Sequence, residues 1–265
     1  MGYLQDLERL GGNVMNIIDM DVKQRSLLFA KMASDAYGDK VEVRKIVKRI
    51  GFGKLKFYDN GGAQAYRFES PTDVIIACRG TQPSEFNDLK ADLKAFPVKS
   101  ETFSRVHRGF KTEVDELWPM ISKDVEGVTK NLWFCGHSLG AAMATIIASR
   151  CSHDEDYPNP VQLYTYGSPR VGWPKYVRSL DLDHVRWQNN NDIVTRVPLR
   201  IMGYTHHGHN MYIRFDGSID DSGKAHRWNR FIDRTKGMWG GIKQGKIDNF
   251  ADHSMTEYIH HLENW

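Results

Sequence analysis

Ser138 lies between two glycines in Gly136-His137-Ser138-Leu139-Gly140. The residues before it, Asn131 to Cys135, read as a short apolar strand, and Ala141 to Arg150 read as a helix rich in Ala, Ile and Met. A serine at such a strand-to-helix turn has the pattern of a nucleophile elbow. The turn forces the serine into a strained backbone conformation, and only very small residues fit two positions to either side. Its hydroxyl then stands at a helix N-terminus, where backbone N–H groups favour developing negative charge. Serine at its ordinary pKa is a poor nucleophile, so the chemistry needs a histidine base oriented by a carboxylate.

An elbow of this kind takes its partners in the chain order serine, acid, histidine, on loops beyond later strands. Asp192 follows the strand-like His184 to Gln188 in the polar loop Asn189-Asn190-Asn191-Asp192, which closes at Pro198. Asp181 and Asp183 precede that strand, at the wrong end of a sheet, and Asp216, Asp220 and Asp221 lie in a turn. Seven histidines follow Asp192. His253 opens a terminal helix after a polar loop, which suits a base, whereas His260 and His261 lie inside that helix. His206, His207 and His209 are crowded enough to raise a metal site, but no carboxylate spacing supports one, and no metal or other cofactor is expected. Two backbone donors must meet the oxyanion. Leu139, directly after the serine, supplies one, and Thr81, in Arg79-Gly80-Thr81 after an apolar strand, supplies the other.

The elements that must hold these residues alternate between strand and helix. Val22 to Tyr37 has helical spacing; Lys54 to Tyr58 and Ala63 to Phe68 flank the hairpin signal Asp59-Asn60-Gly61-Gly62; Asp73 to Cys78 is a buried strand. Ser84 to Ala95 and Gly109 to Val128 read as helices, Val161 to Tyr166 as a strand and Trp173 to Leu180 as a short helix. Met211 to Phe215 is a further strand, and helical spacing returns at Ala225 to Ile242 and His253 to Leu262. This alternation predicts an α/β fold, a mostly parallel twisted sheet with helices on both faces, in one domain over residues 1–265.

Composition narrows the rest. A chain of 265 residues, 40% hydrophobic and 26% charged, can bury a sizeable core. A net charge of +3 does not suggest nucleic-acid binding. Cys78, Cys135 and Cys151 read as buried free thiols rather than a disulfide framework. No apolar run reaches the ~18 residues of a membrane span, and Met1 to Arg9 has no signal-peptide pattern. The chain as written is expected to be cytoplasmic, with secretion by a signal-independent route as the other possibility.

Together these pieces resemble the class 3 lipase family of fungal lipase-like α/β-hydrolases. The matching segments are Cys78-Arg-Gly-Thr81, Asp88 with Asp92-Leu93, and Val106-His107-Arg108-Gly109-Phe110. The elbow, Thr165-Tyr-Gly-Ser-Pro-Arg-Val-Gly172, Asn189 through Asp192-Ile-Val, His207-Gly208 and His253-Ser254-Met255 before Tyr258 follow in family order. The resemblance implies the α/β-hydrolase fold, with Ser138 as nucleophile, Asp192 as acid, His253 as base, Thr81 and Leu139 as oxyanion hole, and Asp92 holding the Thr81 hydroxyl. It implies a serine carboxylic-ester hydrolase, a triacylglycerol lipase or esterase working through an acyl-serine. The alternatives are a phospholipase A1-type enzyme and a catalytically silent lipase-like binding protein. The expected partner is a lipid or ester substrate. The family's lid corresponds to Gln82 to Ala91, which is polar apart from Phe86 and Leu89, so its opening exposes little apolar area and soluble esters are expected substrates too. Trp228, Phe231, Ile232, Met238, Trp239 and Ile242, interspersed with Arg and Lys, either pack on their own domain or dock peripherally on an anionic lipid interface.

Overall fold

The computed structural model describes residues 16–80, 96–222 and 251–265. The helix expected at Ser84 to Ala95, the lid stretch, Thr81, Asp92 and the stripe from Ala225 to Ile242 lie outside the described residues.

The chain enters through α1 (Val22–Asp35), whose start is fixed by a capping box between Asp21 and Gln24. α2 (Lys40–Arg49) follows. The expected hairpin forms as β1 (Lys54–Asn60) and β2 (Ala63–Glu69), and β3 (Asp73–Cys78) is buried throughout. A small antiparallel pair, β4 (Pro97–Lys99) and β5 (Arg105–His107), leads into α3 (Arg108–Val125). Then come β6 (Asn131–His137), α4 (Leu139–Ser152), β7 (Pro160–Tyr166), α5 (Pro174–Ser179) and β8 (His184–Asn189). β9 (His209–Ile213), β10 (Ile219–Asp220) and α6 (Met255–Glu263) complete the described elements.

Eight strands form one sheet in the order β1-β2-β3-β6-β7-β8-β9-β10. The five central strands, β3 to β9, run parallel, and the hairpins at the two edges run antiparallel. Alternate residues of the central strands feed two cores, as the period of 2 demands. Ile75, Trp133, Cys135, Tyr164, Tyr166 and Trp187 pack with Phe29 and Met32 of α1 and with Tyr258 and Leu262 of α6. Val74, Ile76, Leu132, Phe134 and Leu163 pack with Val114, Leu117 and Ile121 of α3 and with Ala144 and Ile147 of α4. α4 is buried on nearly every side, which accounts for its apolar composition. The sheet therefore has helices on both faces, and its parallel strands all aim their C-terminal ends at one rim. Cys78 and Gly136 are register partners at that rim, as are His137 and Tyr166. All three cysteines are buried and free.

Candidate active site

The rim positions the nucleophile candidate first. Ser138 joins β6 to α4 with φ 58° and ψ −128°, a left-handed conformation that a serine adopts only under constraint. Its N–H donates to the Tyr166 carbonyl at 3.0 Å, pinning the turn to the end of β7. The flanking glycines are required by contact. A β carbon on Gly136 would collide with the Gly140 carbonyl, and one on Gly140 would collide with the Cys78 carbonyl of β3. Leu139 is the first residue of α4, so its N–H is one of the donors a helix start leaves unpaired. Ser138 is fully buried, and its Oγ has no hydrogen-bond partner among the described residues.

The acid and base candidates meet beside it. Asp192, fully buried, accepts on Oδ2 from His253 Nδ1 at 2.9 Å and on Oδ1 from the Val194 N–H at 2.9 Å. A carboxylate only accepts, so this contact places the ring proton of neutral His253 on Nδ1 and leaves Nε2 basic. Gly167, at φ 58°, passes between the two: a β carbon there would lie 2.7 Å from both Asp192 Oδ2 and the His253 ring. His253 ends a 3₁₀ turn (Ala251–His253) immediately before α6, rather than opening the helix itself. Ser254 takes the capping position, accepting from the Thr256 N–H at 3.2 Å. The loop carrying the base is tied to the loop carrying the acid by Asn191 N–H to Asp252 Oδ2 at 3.0 Å and Asn189 Nδ2 to the Asp252 carbonyl at 3.1 Å.

Two further residues take part that the sequence did not single out for a role. The Tyr258 hydroxyl, on α6, donates to Asp192 Oδ2 at 2.7 Å and accepts from the Asn189 N–H at 2.9 Å. Burial first, and the Asp192 charge second, push its pKa well up, so it remains a donor. The signal available in sequence was its place five residues after His253 on an amphipathic helix. The His137 ring lies between Tyr37 Oη, 2.9 Å from Nδ1, and the His253 carbonyl, 2.7 Å from Nε2. Thr81 lies outside the described residues, but Gly80 before it abuts the nucleophile: a β carbon on Gly80 would sit 3.2 Å from Ser138 Cβ.

The other histidines have separate partners. His206 Nε2 donates to the Thr195 carbonyl at 2.8 Å, His209 Nε2 donates to the Asp221 carbonyl at 2.7 Å, and His207 Nδ1 faces His184 Nδ1 at 3.1 Å. Among the described residues no group of three or more His, Cys, Asp or Glu is placed to hold a metal ion.

Residues 75–202, which run from β3 through the elbow and past Asp192, match the family model "Lipase (class 3)". Just under half of the chain thus carries the sequence pattern of the class 3 lipase family. The chain is 29% identical to the toxin TseL of Vibrio cholerae, over 61% of this chain and 32% of that protein. It is 31% identical to a lipase of Rhizomucor miehei, over 66% of this chain and 50% of that one. The chain thus spans half or less of the length of these two curated relatives. The solved structure of lipase II from Rhizopus niveus superposes with a TM-score of 0.62, covering 72% of this chain and 80% of that chain at 24% identity. That likeness shows the α/β-hydrolase fold.

Proposed function

We propose that this chain hydrolyses carboxylic esters of lipids through an acyl-serine on Ser138. The observation that carries this reading is the buried Asp192–His253 pair, 2.9 Å apart, at the same sheet rim as the strained Ser138 turn. The names of the Rhizomucor and Rhizopus relatives, both lipases, support it.

Chemistry follows from the groups at the rim. Ser138 Oγ attacks the ester carbonyl while His253 Nε2 accepts its proton, and Asp192 stabilises the resulting imidazolium. The carbonyl oxygen gains charge at the start of α4, where the Leu139 N–H donates, with Thr81 assigned as the second donor. His253 then returns the proton to the departing alcohol. Water, deprotonated by the same His253, attacks the acyl-serine and releases the fatty acid. Tyr258 holds Asp192 in place throughout.

Acylglycerols are the substrate class assigned. Initial rates on p-nitrophenyl esters of graded chain length, beside emulsified triacylglycerol and phospholipid vesicles, test this directly. We expect ester turnover to fall by about four orders of magnitude or more in Ser138→Ala, Asp192→Asn and His253→Ala. A Ser138→Ala protein that matches wild type, or a wild type that cleaves none of these esters, contradicts the reading. Faster release of fatty acid from phospholipid than from triacylglycerol would move the assignment to a phospholipase A1-type enzyme.

A further inference from the structure

His137 is the residue before the nucleophile, and its side chain is buried. Its two nitrogens have chemically different partners. The His253 carbonyl, 2.7 Å from Nε2, can only accept, so Nε2 carries the proton. In the neutral ring Nδ1 is then an acceptor, and the Tyr37 hydroxyl, 2.9 Å away, must donate to it. Burial, with His253 adding to it, holds the ring far below the usual histidine range, so the neutral form persists at ordinary pH. Tyr37, from the loop after α1, lies in turn against Gly80: a β carbon there would collide with its hydroxyl and with the His137 carbonyl.

A directed chain of hydrogen bonds therefore runs from Tyr37 through His137 to the backbone of His253. The histidine base needs two constraints to face Ser138. Its ring is oriented by Asp192 through Nδ1 at 2.9 Å. Its backbone lies in a short 3₁₀ turn outside the sheet, and the carbonyl of that turn is held from β6 by His137. The His137 and His253 rings are 4.4 Å apart between centroids, so the two side chains also pack directly. A ring fixed at Nδ1 but loose at its backbone would still pivot about the Asp192 contact, and displacements of about 1 Å at a reacting group can cost ~100-fold in rate.

We propose that His137 is a positioning residue: with its tautomer set by the His253 carbonyl and its ring anchored at Nδ1 by Tyr37, it holds the His253 backbone so that Nε2 of the base reaches Ser138. This rests on the ester-hydrolase reading above. A histidine serving only as core filler would contribute to stability without affecting turnover selectively.

The test measures kcat and KM on a soluble p-nitrophenyl ester, with thermal midpoints, for wild type, Ser138→Ala, His137→Leu, His137→Gln and Tyr37→Phe. Leu removes both hydrogen bonds, whereas Gln retains a donor and an acceptor in one side chain. We expect His137→Leu to lose about 100-fold in kcat with KM within about two-fold, and His137→Gln to recover about ten-fold of that loss. Tyr37→Phe should lose about ten-fold in kcat with His137 still in place, because the ring loses the hydrogen bond that anchors it at Nδ1. A folded His137→Leu with wild-type kcat overturns the proposal. If that variant fails to fold, Tyr37→Phe decides: unchanged kcat overturns it and a selective kcat loss supports it. Should Ser138→Ala match wild type, the hydrolase reading itself fails; should Ser138→Ala be inactive and the His137 and Tyr37 variants be normal, only this proposal fails.

Discussion

At the residue scale the site is a set of buried polar groups whose partners leave little choice of proton position. Asp192 receives His253, Tyr258 and the Val194 N–H, which satisfies a carboxylate that is wholly out of water. Tyr258→Phe retains the ring packing but removes one donor from Asp192 and leaves the Asn189 N–H without its acceptor. We expect a stability loss of about 1–3 kcal/mol in urea unfolding, together with reduced ester turnover. A wild-type midpoint and rate in that variant would show the hydroxyl to be dispensable. The cysteines make the opposite case. Cys78 and Cys135 are fully buried and burial pushes both thiols up, so a thiol reagent should modify neither in the native protein and both after denaturation.

At the element scale the elbow depends on how closely β6, α4 and β3 approach. Gly140→Ala would drive a methyl group into the Cys78 carbonyl, and the backbone there cannot rotate away as a side chain could. The expected cost is about 1–3 kcal/mol or more, read as a lower thermal midpoint, with activity lost at temperatures where the protein is still folded because Gly80 shifts from Ser138. An unchanged midpoint would contradict the packing described here. β3 and β6 were legible because they are buried on both faces and so read as near-continuous apolar runs, whereas β8, equally buried, contains His184, Arg186, Gln188 and Asn189. α2 was not: of Lys40–Arg49 only Val43 and Val47 are buried, too thin an apolar stripe to separate from loop. β9 occupies His209–Ile213, two residues earlier than Met211 to Phe215, because its register is set by pairing with Val185 to Asn189 rather than by its own hydropathy. Ser138, Asp192 and His253 could be proposed from chain order alone. The bonds of Tyr258 and His137 could not, since each joins segments more than 60 residues apart.

At the scale of the whole molecule the fold keeps several buried histidines neutral. His107, His137, His184, His206 and His207 all have pKa values lowered, first by burial, with His107 down to about 4. A histidine whose folded pKa is depressed contributes stability that is present above its unfolded value and is lost as pH falls through that value toward the folded one. Asp35, raised by burial to about 6, acts in the opposite sense: its stabilising protonated form is gained as pH falls below about 6. Six such histidines, His261 included, against three raised carboxylates, Asp35, Glu113 and Asp252, predict a thermal midpoint that is level above pH 7 and drops as pH falls below 6.5, the ordinary histidine value. A midpoint constant from pH 7 to pH 5 would contradict this. Among the described residues no helix is long and apolar enough to cross a membrane. The central claim is that Ser138 is a nucleophile activated by His253, and a fluorophosphonate probe tests it most directly. Intact mass should show one adduct per wild-type chain, mapped to the peptide containing Ser138, with none on Ser138→Ala and very slow labelling of His253→Ala. Labelling of Ser138→Ala equal to wild type, or no labelling of wild type, would contradict the account.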